Sequence, residues 1–342
     1  MSGIGARCRS ALLVVALGLS SAHPSPAAAA VCAPLFRPVA QSAQPLTDPE
    51  SLAPGDFTGD GRIDLAFSRR VAFEQRGTTG IGVLASHGSG TFAPPAADLI
   101  RTPGSNVSVV AGDFTGEGRL DLATAGEGTG LLVLVGDGRG GFTPRTVPGA
   151  AGVTRVLVVV DVNRDRHADV IAAGSLPDGR ADVRVLLGDG AGGFVAQSPM
   201  PVGNDASSAA AGDLNRDGHT DLVLGAVAGN FSSIVVLLGD GTGRFTALES
   251  PVAWRESRTT GGDVFQIALA DFNRDGRLDL AARRGNEPQL VLALGDGRGR
   301  FRQRARGWSM SLNTYADSFA VGRFNRDRVP DIKTISGWRR TS

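Results

Sequence analysis

Residues 271–279 read DFNRDGRLD, and residues 213–221 read DLNRDGHTD. Both stretches place oxygen-bearing side chains at positions 1, 3, 5 and 9 and a glycine at position 6. Calcium takes about six to eight oxygen ligands at about 2.3–2.6 Å, and glycine allows the backbone to turn sharply between ligands. The pattern therefore predicts a calcium loop in each stretch.

The same pattern recurs along the chain. Related loops begin at Asp56, Asp113 and Asp161, and a damaged copy begins at Arg323. Successive loop starts, including those at 213 and 271, are separated by 57, 48, 52, 58 and 52 residues. Several such loops at nearly regular spacing indicate a repeat architecture.

A second motif lies between the loops. It is an apolar run followed by Gly-Asp-Gly-x-Gly-x-Phe, and it reads LLVLVGDGRGGF at 131–142, VRVLLGDGAGGF at 183–194, IVVLLGDGTGRF at 234–245 and LVLALGDGRGRF at 290–301, with an eroded version, IGVLASHGSGTF, at 81–92. Short apolar runs bounded by Gly-Asp-Gly predict strand-turn-strand structure, because glycine and aspartate accept the positive φ of a tight turn.

One repeat unit can be laid out strand by strand. The predicted strands are 107–114, 121–126, 131–136 and 142–147. These segments are short, apolar and stopped by glycine, so stable helices are disfavoured. Four short antiparallel strands in each unit are typical of a propeller blade, and the sequence therefore predicts an all-β fold.

The two motifs, repeated in phase over about residues 50–337, resemble the FG-GAP or VCBS repeat. This repeat is the blade unit of integrin-alpha-like β-propellers, so the resemblance implies a β-propeller of four-stranded antiparallel blades. It says less about function, because such blades occur in adhesion proteins, lectins and carbohydrate-active enzymes alike.

The ends of the chain bear on the number of blades. Residues 323–342 and 31–55 together supply 45 residues, close to the shortest repeat interval of 48. LFRPVA at 35–40 also resembles the fourth-strand segments FTPRTV and FVAQSP. We therefore expect six blades, closed by strands from both termini, with seven blades as the alternative that the family resemblance favours. The shared blade lacks an apolar third strand.

The five loops that begin with aspartate supply the predicted calcium ligands. Glu117 replaces the aspartate of position 5 in the second loop, and Arg166 replaces the glycine of position 6 in the third. The sixth loop has Arg323 and Arg328 at positions 1 and 6 and is expected to bind no calcium. The predicted ligands are Asp56, Thr58, Asp60, Asp64, Asp113, Thr115, Glu117, Asp121, Asp161, Asn163, Asp165, Asp169, Asp213, Asn215, Asp217, Asp221, Asp271, Asn273, Asp275 and Asp279.

Position 7 of each loop would donate only its backbone carbonyl. His167 and His219 stand there, so they are expected to face solvent rather than to bind metal or act as bases. The alternative for every loop is an Asx turn that caps a hairpin without metal. The acidic charge within each loop argues against that alternative, since clustered carboxylates repel unless a cation neutralises them.

The N-terminus has the features of a secretory signal. Arg7 and Arg9 precede an apolar run at 11–19, and Ala28–Ala30 offers a cleavage site, so we expect a signal peptide at 1–30 and a single propeller domain at 31–342. The apolar run is too short to span a bilayer. Cys32 is then the one cysteine of the mature chain, which excludes an intramolecular disulfide framework. A periplasmic location and a lipid anchor on Cys32 are weaker alternatives to secretion.

The expected function is binding. The net charge of +1 gives no electrostatic case for nucleic acid. No nucleophile elbow, zinc motif or phosphate loop is present, and we identify no catalytic residue. Segments 69–80, 227–233 and 253–263 vary while the framework repeats, and Trp254, Arg255 and Trp308 are of types that stack on sugars, or fill gaps between blades. An extracellular protein or glycan is the expected partner. The alternatives are a polysaccharide lyase or hydrolase on the same scaffold and a structural domain of a surface assembly.

Overall fold

The computed structural model describes residues 49–70, 78–88, 91–93, 100–103, 108–126, 130–176, 178–203, 205–228, 231–249, 252–253, 264–284, 289–303, 309–311, 316–322 and 329–336. These residues form strands and turns and contain no helix. None of them therefore belongs to an apolar helix long enough to cross a membrane. The predicted all-β fold class is confirmed for the described part of the chain.

Each repeat forms one antiparallel sheet from consecutive strands. Sheet 1 contains β1 (Pro49–Gly55), β2 (Asp64–Arg70), β3 (Thr78–Leu84) and β4 (Ile100–Pro103). Sheet 2 contains β5 (Ser108–Gly112), β6 (Asp121–Gly126), β7 (Gly130–Gly136) and β8 (Phe142–Thr146). The four strands predicted for residues 107–147 are thus confirmed to within one or two residues at each end.

Three further sheets repeat this plan. Sheet 3 contains β9 (Val153–Val160), β10 (Asp169–Ser175), β11 (Ala181–Gly188), β12 (Phe194–Ala196) and β13 (Met200–Gly203). Sheet 4 contains β14 (Asp205–Gly212), β15 (Asp221–Ala228), β16 (Phe231–Gly239) and β17 (Phe245–Ala247). Sheet 5 contains β18 (Val252–Ala253), β19 (Val264–Ala270), β20 (Asp279–Arg284), β21 (Gln289–Gly295), β22 (Phe301–Gln303) and β23 (Ser309–Ser311). β18 is the exception to the antiparallel plan, because it runs parallel to β22 at the outer edge, and the strands of this sheet are therefore counted from β19.

The outermost strand is interrupted in two of these sheets. In sheet 3, β12 pairs with one half of β11 and β13 with the other half. In sheet 5, β22 and β23 divide the edge of β21 in the same way. Outer strands are solvent-exposed, as in β8, so they tolerate polar residues and breaks that a central strand does not.

The last sheet has two described strands, β24 (Ala316–Gly322) and β25 (Asp331–Ser336). The segment at 31–48, which we expect to complete it, lies outside the described residues. The sheets are consistent with propeller blades, and the number of blades and the closure of the ring stay predictions.

The hydrophobic core lies between neighbouring sheets. Every residue of β6 is buried, because this strand is central in its sheet and both faces are covered. Between sheets 2 and 3, Val133 packs in one cluster with Val156 and Val170. Between sheets 1 and 2, Phe57 meets Phe142 edge-on with ring centroids 6.0 Å apart. The apolar runs of the sequence are therefore the layers that stack sheet on sheet.

Polar side chains join the first strands of successive sheets, which lie in contact in the order β1, β5, β9, β14, β19 and β24. Ser51 Oγ accepts a hydrogen bond from Val109 N (3.1 Å) and lies 3.4 Å from Val109 O. Ser108 Oγ accepts one from Val156 N at 2.7 Å. Backbone groups at the inner strand edges are thus satisfied by the preceding sheet.

Candidate metal centre in the repeated loops

Five acidic loops connect the first and second strands of sheets 1 to 5, and the Gly-rich hairpins connect the third and fourth strands. Both lie at the same end of the sheets: Gly140 N of one hairpin donates to Phe57 O of the preceding sheet's loop at 2.9 Å, and Gly192 N donates to Phe114 O at 2.8 Å. The sixth loop, at 323–331, falls almost entirely outside the described residues.

The aspartate at position 9 is buried in all five loops. In the fourth loop, Asp221 Oδ2 accepts Leu214 N at 2.8 Å and Asp221 Oδ1 accepts Gly239 N at 2.9 Å. This carboxylate therefore ties the start of its loop to the end of the third strand. The same pair of bonds is made by Asp64, Asp121, Asp169 and Asp279.

The glycine that faces this aspartate leaves no room for a side chain. A Cβ on Gly239 would lie 2.2 Å from Thr220 O, and one on Gly295 would lie 2.1 Å from Leu278 O. The first glycine of the GDGxGxF motif is thus fixed by close backbone approach. In sheet 1 Ser86 occupies this position, and Ser86 N still donates to Asp64 Oδ1 at 2.8 Å.

The aspartate at position 1 is half-buried and holds the turn. Asp213 Oδ1 accepts Arg216 N at 2.7 Å, and Asp213 Oδ2 accepts Gly218 N at 3.0 Å. The bond to the N–H of position 6 recurs in the other four loops, from Asp56, Asp113, Asp161 and Asp271.

Positions 3 and 5 behave differently in the two kinds of loop. Asn215 accepts Asp217 N at 3.0 Å and donates Nδ2 to Asp217 Oδ2 at 2.7 Å. Asn163 and Asn273 make the same pair of bonds with Asp165 and Asp275.

The threonine loops lack this contact. Thr58 Oγ1 donates instead to Asp64 Oδ2 at 3.0 Å, and Thr115 Oγ1 donates to Asp121 Oδ2 at 3.1 Å. Glu117 forms an ion pair with Arg119. Glu117 therefore pairs with position 7 of its own loop, as Asp60 does with Arg62 in the first loop.

Position 7 packs against the hairpin of its own sheet. A Cβ on Gly190 would lie 2.5 Å from His167 Cδ2, and one on Gly241 would lie 2.3 Å from His219 Nδ1. The side chain of His167 is 42% exposed, whereas His219 Nδ1 is buried with no hydrogen-bond partner. The two imidazole rings thus pack over glycines of the hairpins. The prediction that they face solvent is therefore correct for only part of each ring.

The pKa values of a buried and an exposed aspartate in one loop are shifted in opposite directions. Burial raises the pKa of Asp221, and the charge of Asp217 acts in the same direction. The same causes, burial first, raise the pKa of Asp169 and Asp279. Burial also acts on Asp217, but the N–H of His219, the amide of Asn215 and the charge of Arg164 outweigh it and lower the pKa of Asp217.

The donor set of the loops suits a hard cation. Asp161 Oδ1 and Oδ2 each accept one backbone N–H, so each oxygen keeps a lone pair for another partner. Asn163 and Asp165 add amide and carboxylate oxygens two and four residues further on. Within the described ranges, no three acidic, histidine or cysteine side chains converge closely enough to share one ion. The carboxylates are instead turned toward backbone N–H groups of their own loop.

One charged pair was missed by the sequence analysis. Asp182 is fully buried in β11, and Arg184 Nε donates to its Oδ2 at 2.9 Å. Arg184 also donates to the carbonyl oxygens of Ala151 and Ser175, and so joins sheet 3 to the connection that precedes it. An Asp-x-Arg spacing places both side chains on one face of a strand, and this was the available signal.

Comparisons with known proteins agree with this architecture. The model of the FG-GAP-like repeat matches residues 56–124, 161–224, 226–282 and 271–332, and that of the FG-GAP repeat matches residues 206–243. No curated protein matched the sequence significantly.

Two solved structures have a similar fold. One is an Agrocybe aegerita lectin that specifically recognises non-reducing terminal N-acetylglucosamine; it is 22% identical, with a TM-score of 0.55 over 82% of this chain and 73% of the lectin chain. The other is a protein from Lactobacillus plantarum, 18% identical, with a TM-score of 0.52 over 80% of this chain and 74% of that chain. At these identities the likeness concerns the fold alone.

Proposed function

The chain belongs to the family of FG-GAP-like repeat proteins, and we propose on this premise that it is a secreted, calcium-stabilised propeller that binds a glycan. The observation that carries the proposal is a difference between the two ends of the sheets: one end repeats the same contacts, and the connections at the other end vary in sequence. At one end, loops and hairpins repeat the same hydrogen bonds from sheet to sheet, as in Gly140 N to Phe57 O and Gly192 N to Phe114 O.

The connections at the opposite end differ from repeat to repeat. Those that follow β2, β6, β15 and β20 lie outside the described residues, and their sequences are VAFEQRG at 71–77, EGT at 127–129, GN at 229–230 and GNEP at 285–288. Varied segments on a repeated framework are where recognition usually resides. The ligand is therefore expected at the end that faces away from the acidic loops.

A glycan is favoured over a protein as the ligand. The similar fold of a lectin supports this choice, as does the Trp-Arg pair at 254–255, whose flat groups suit sugar rings. Residues 254–255 lie outside the described part of the chain, so this support is one of residue type alone.

The residues that would hold calcium are positions 1, 3, 5 and 9 of the five loops, with Asn163, Asn215 and Asn273 as the neutral ligands. Bound calcium would neutralise the clustered carboxylates. It would relieve the repulsion from neighbouring aspartates that adds to burial in raising the pKa of Asp169, Asp221 and Asp279. We further propose a ring of six blades in which residues 31–48 complete the sheet of β24 and β25.

A glycan array in millimolar calcium tests the binding function. Selective binding of one class of terminal sugar, abolished by competing free sugar, is the expected result. Binding to no glycan, with capture of a protein ligand instead, would contradict the glycan proposal. Release of shortened oligosaccharides from a polysaccharide would favour the enzymatic alternative.

Melting curves test the calcium proposal separately. Calcium added after chelation is expected to raise the Tm, because a ligand that prefers the native state stabilises it by RT ln(1 + [L]/Kd) per site. Magnesium is expected to raise it less, given its preference for octahedral sites. An identical Tm in EDTA and in millimolar calcium would refute calcium stabilisation.

A further inference from the structure

Arginine occupies position 4 of three loops in a left-handed backbone conformation. The φ angles are +64° at Arg164, +65° at Arg216 and +62° at Arg274. The first two loops have Gly59 and Gly116 at this position, with φ of +71° and +69°. Because left-handed backbone is unfavourable for any residue with a Cβ, the three arginine side chains are expected to provide a compensating interaction.

Two of these side chains reach the following loop. Arg216 Nη2 donates to Gly276 O at 2.8 Å, and Gly276 is position 6 of the next loop. Arg164 Nη2 lies beside the equivalent Gly218, 3.0 Å from where a Cβ on that glycine would stand. Both guanidinium groups therefore approach position 6 of the next loop, where a glycine leaves space for them, and Arg216 adds a hydrogen bond to that approach.

The receiving loops are strongly acidic. Each of 213–221 and 271–279 contains three aspartates, and Arg164 or Arg216 brings a permanent positive charge to the rim of that cluster. The loops at 113 and 161 receive no such charge from the preceding position 4, since residues 59 and 116 are glycines. The four loops that begin at residues 113, 161, 213 and 271 thus fall into two electrostatic classes.

We propose that Arg164 and Arg216 are built-in counter-charges that stabilise the loops at 213 and 271 without metal and lower the calcium affinity of those loops. This inference rests on the proposed calcium function. A like charge close to an exposed cation site is expected to weaken cation binding by about three- to tenfold. The loop at 161 lacks a counter-charge of this kind and is expected to depend more on calcium.

Glutamine substitutions separate charge from contact. Arg216→Gln keeps a side-chain donor for Gly276 O but removes the charge, whereas Arg216→Lys keeps the charge. Arg180→Gln is the charge control, because Arg180 is an exposed arginine in the connection between β10 and β11, at the end of sheet 3 that lies away from the acidic loops, where it pairs with Asp178.

A calcium titration followed by the amide NMR signals of Gly218 and Gly276 reads each receiving loop separately. Arg216→Gln is expected to strengthen calcium binding at Gly276 by threefold or more, with Gly61 of the first loop as the internal reference. Arg164→Gln is expected to strengthen binding at Gly218 by a similar factor. Both variants are expected to have a lower Tm than Arg180→Gln in EDTA, and Arg216→Lys is expected to retain the parent's affinity and Tm.

The failures are distinguishable. If the parent protein binds calcium but Arg164→Gln and Arg216→Gln titrate like the parent and Arg180→Gln, the counter-charge inference is overturned alone. If the parent shows no calcium response at any loop, the proposed function is overturned and the inference with it. An equal gain of affinity in Arg216→Gln and Arg216→Lys would show that contact geometry matters rather than charge, and a loss of affinity in Arg216→Gln would contradict the predicted sign; either result would overturn the inference.

Discussion

Gln266 serves as a strand partner for Phe319 in the following sheet. Its Oε1 accepts Phe319 N at 2.8 Å, and its Nε2 donates to Phe319 O at 2.5 Å. One side-chain amide thus satisfies both backbone groups of a residue 53 positions away. The contact belongs to the series in which polar side chains of one inner strand cover the edge of the next.

Replacing this amide by an apolar group of similar length is expected to destabilise the protein. Gln266→Met leaves the N–H and C=O of Phe319 without these partners, at a cost of about 1–3 kcal/mol in the free energy of unfolding. Urea denaturation measures this loss. Gln197→Met is the control, since Gln197 forms a backbone bond and no side-chain hydrogen bond within the described residues; equal losses in both variants would contradict the assignment.

The buried aspartate of position 9 is expected to matter more than the exposed aspartate of the hairpin. Asp221→Ala orphans the N–H groups of Leu214 and Gly239 inside the protein, at about 1–3 kcal/mol for each buried donor. Asp240→Ala also removes a bond, to Thr242 N at 2.8 Å, but water replaces it. Urea denaturation in EDTA compares the two. Equal stabilities would refute the structural role of Asp221.

A methyl group added at Gly239, at the end of β16, tests the close approach between this residue and the backbone of Thr220. Gly239→Ala forces a Cβ to within 2.2 Å of Thr220 O, so backbone must shift, and a loss of about 1–3 kcal/mol is expected. Gly118→Ala is the control for backbone strain alone, because Gly118 has φ of +76° with nothing within 4 Å. Thermal unfolding is expected to show the larger loss for Gly239→Ala. A larger loss for Gly118→Ala would contradict this steric account.

Relief of left-handed strain is expected to stabilise the third loop. Arg166 has φ of +71° where the other four described loops have glycine, so Arg166→Gly should raise the free energy of unfolding by about 1 kcal/mol. Arg139→Gly, in an exposed hairpin without positive φ at that residue, should lower it or leave it unchanged. A stability loss in Arg166→Gly would show that the arginine side chain contributes more than its backbone costs.

Asp240 and Asp221 are expected to have pKa values on opposite sides of the ordinary value for aspartate. The bonds from Thr242 lower the pKa of Asp240, whereas burial raises the pKa of Asp221. Ionised Asp240 therefore contributes stability above its unfolded pKa that is lost as the pH falls through its folded pKa. The pH dependence is opposite for Asp221. The free energy of unfolding increases as the pH falls through its raised folded pKa, because the folded protein binds this proton more tightly than the unfolded chain does. Carboxyl ¹³C shifts in EDTA measure both, and the reverse order would refute the assignment.

Sequence reasoning recovered the repeat because its signals are local. The strands at 121–126 and 131–136, and the turns between them, are specified by apolar runs, glycine and aspartate within a few residues. The structural role of Asp221 was harder to predict from the sequence. A metal ligand and a buried acceptor both require a carboxylate at position 9, and its partner Gly239 lies 18 residues away.

Contacts between repeats were invisible for a similar reason. Arg155 reaches Ala206 across 51 residues, and Arg216 reaches Gly276 across 60. No period in the sequence specifies which side chain will span neighbouring sheets, because serine, arginine and glutamine all perform this task here. The prediction of twenty ligands included threonine and asparagine at position 3, but it did not foresee that the two residue types make different hydrogen bonds there.

The buried aspartate of each loop finds both of its donors inside its own sheet. A gene duplication that copies one unit therefore copies the acid and its two amides together, and a deletion removes all three. Neither event leaves a buried carboxylate without its hydrogen-bond donors. For this acid, a change in the number of units is therefore limited by the surface between adjacent units rather than by the unit itself.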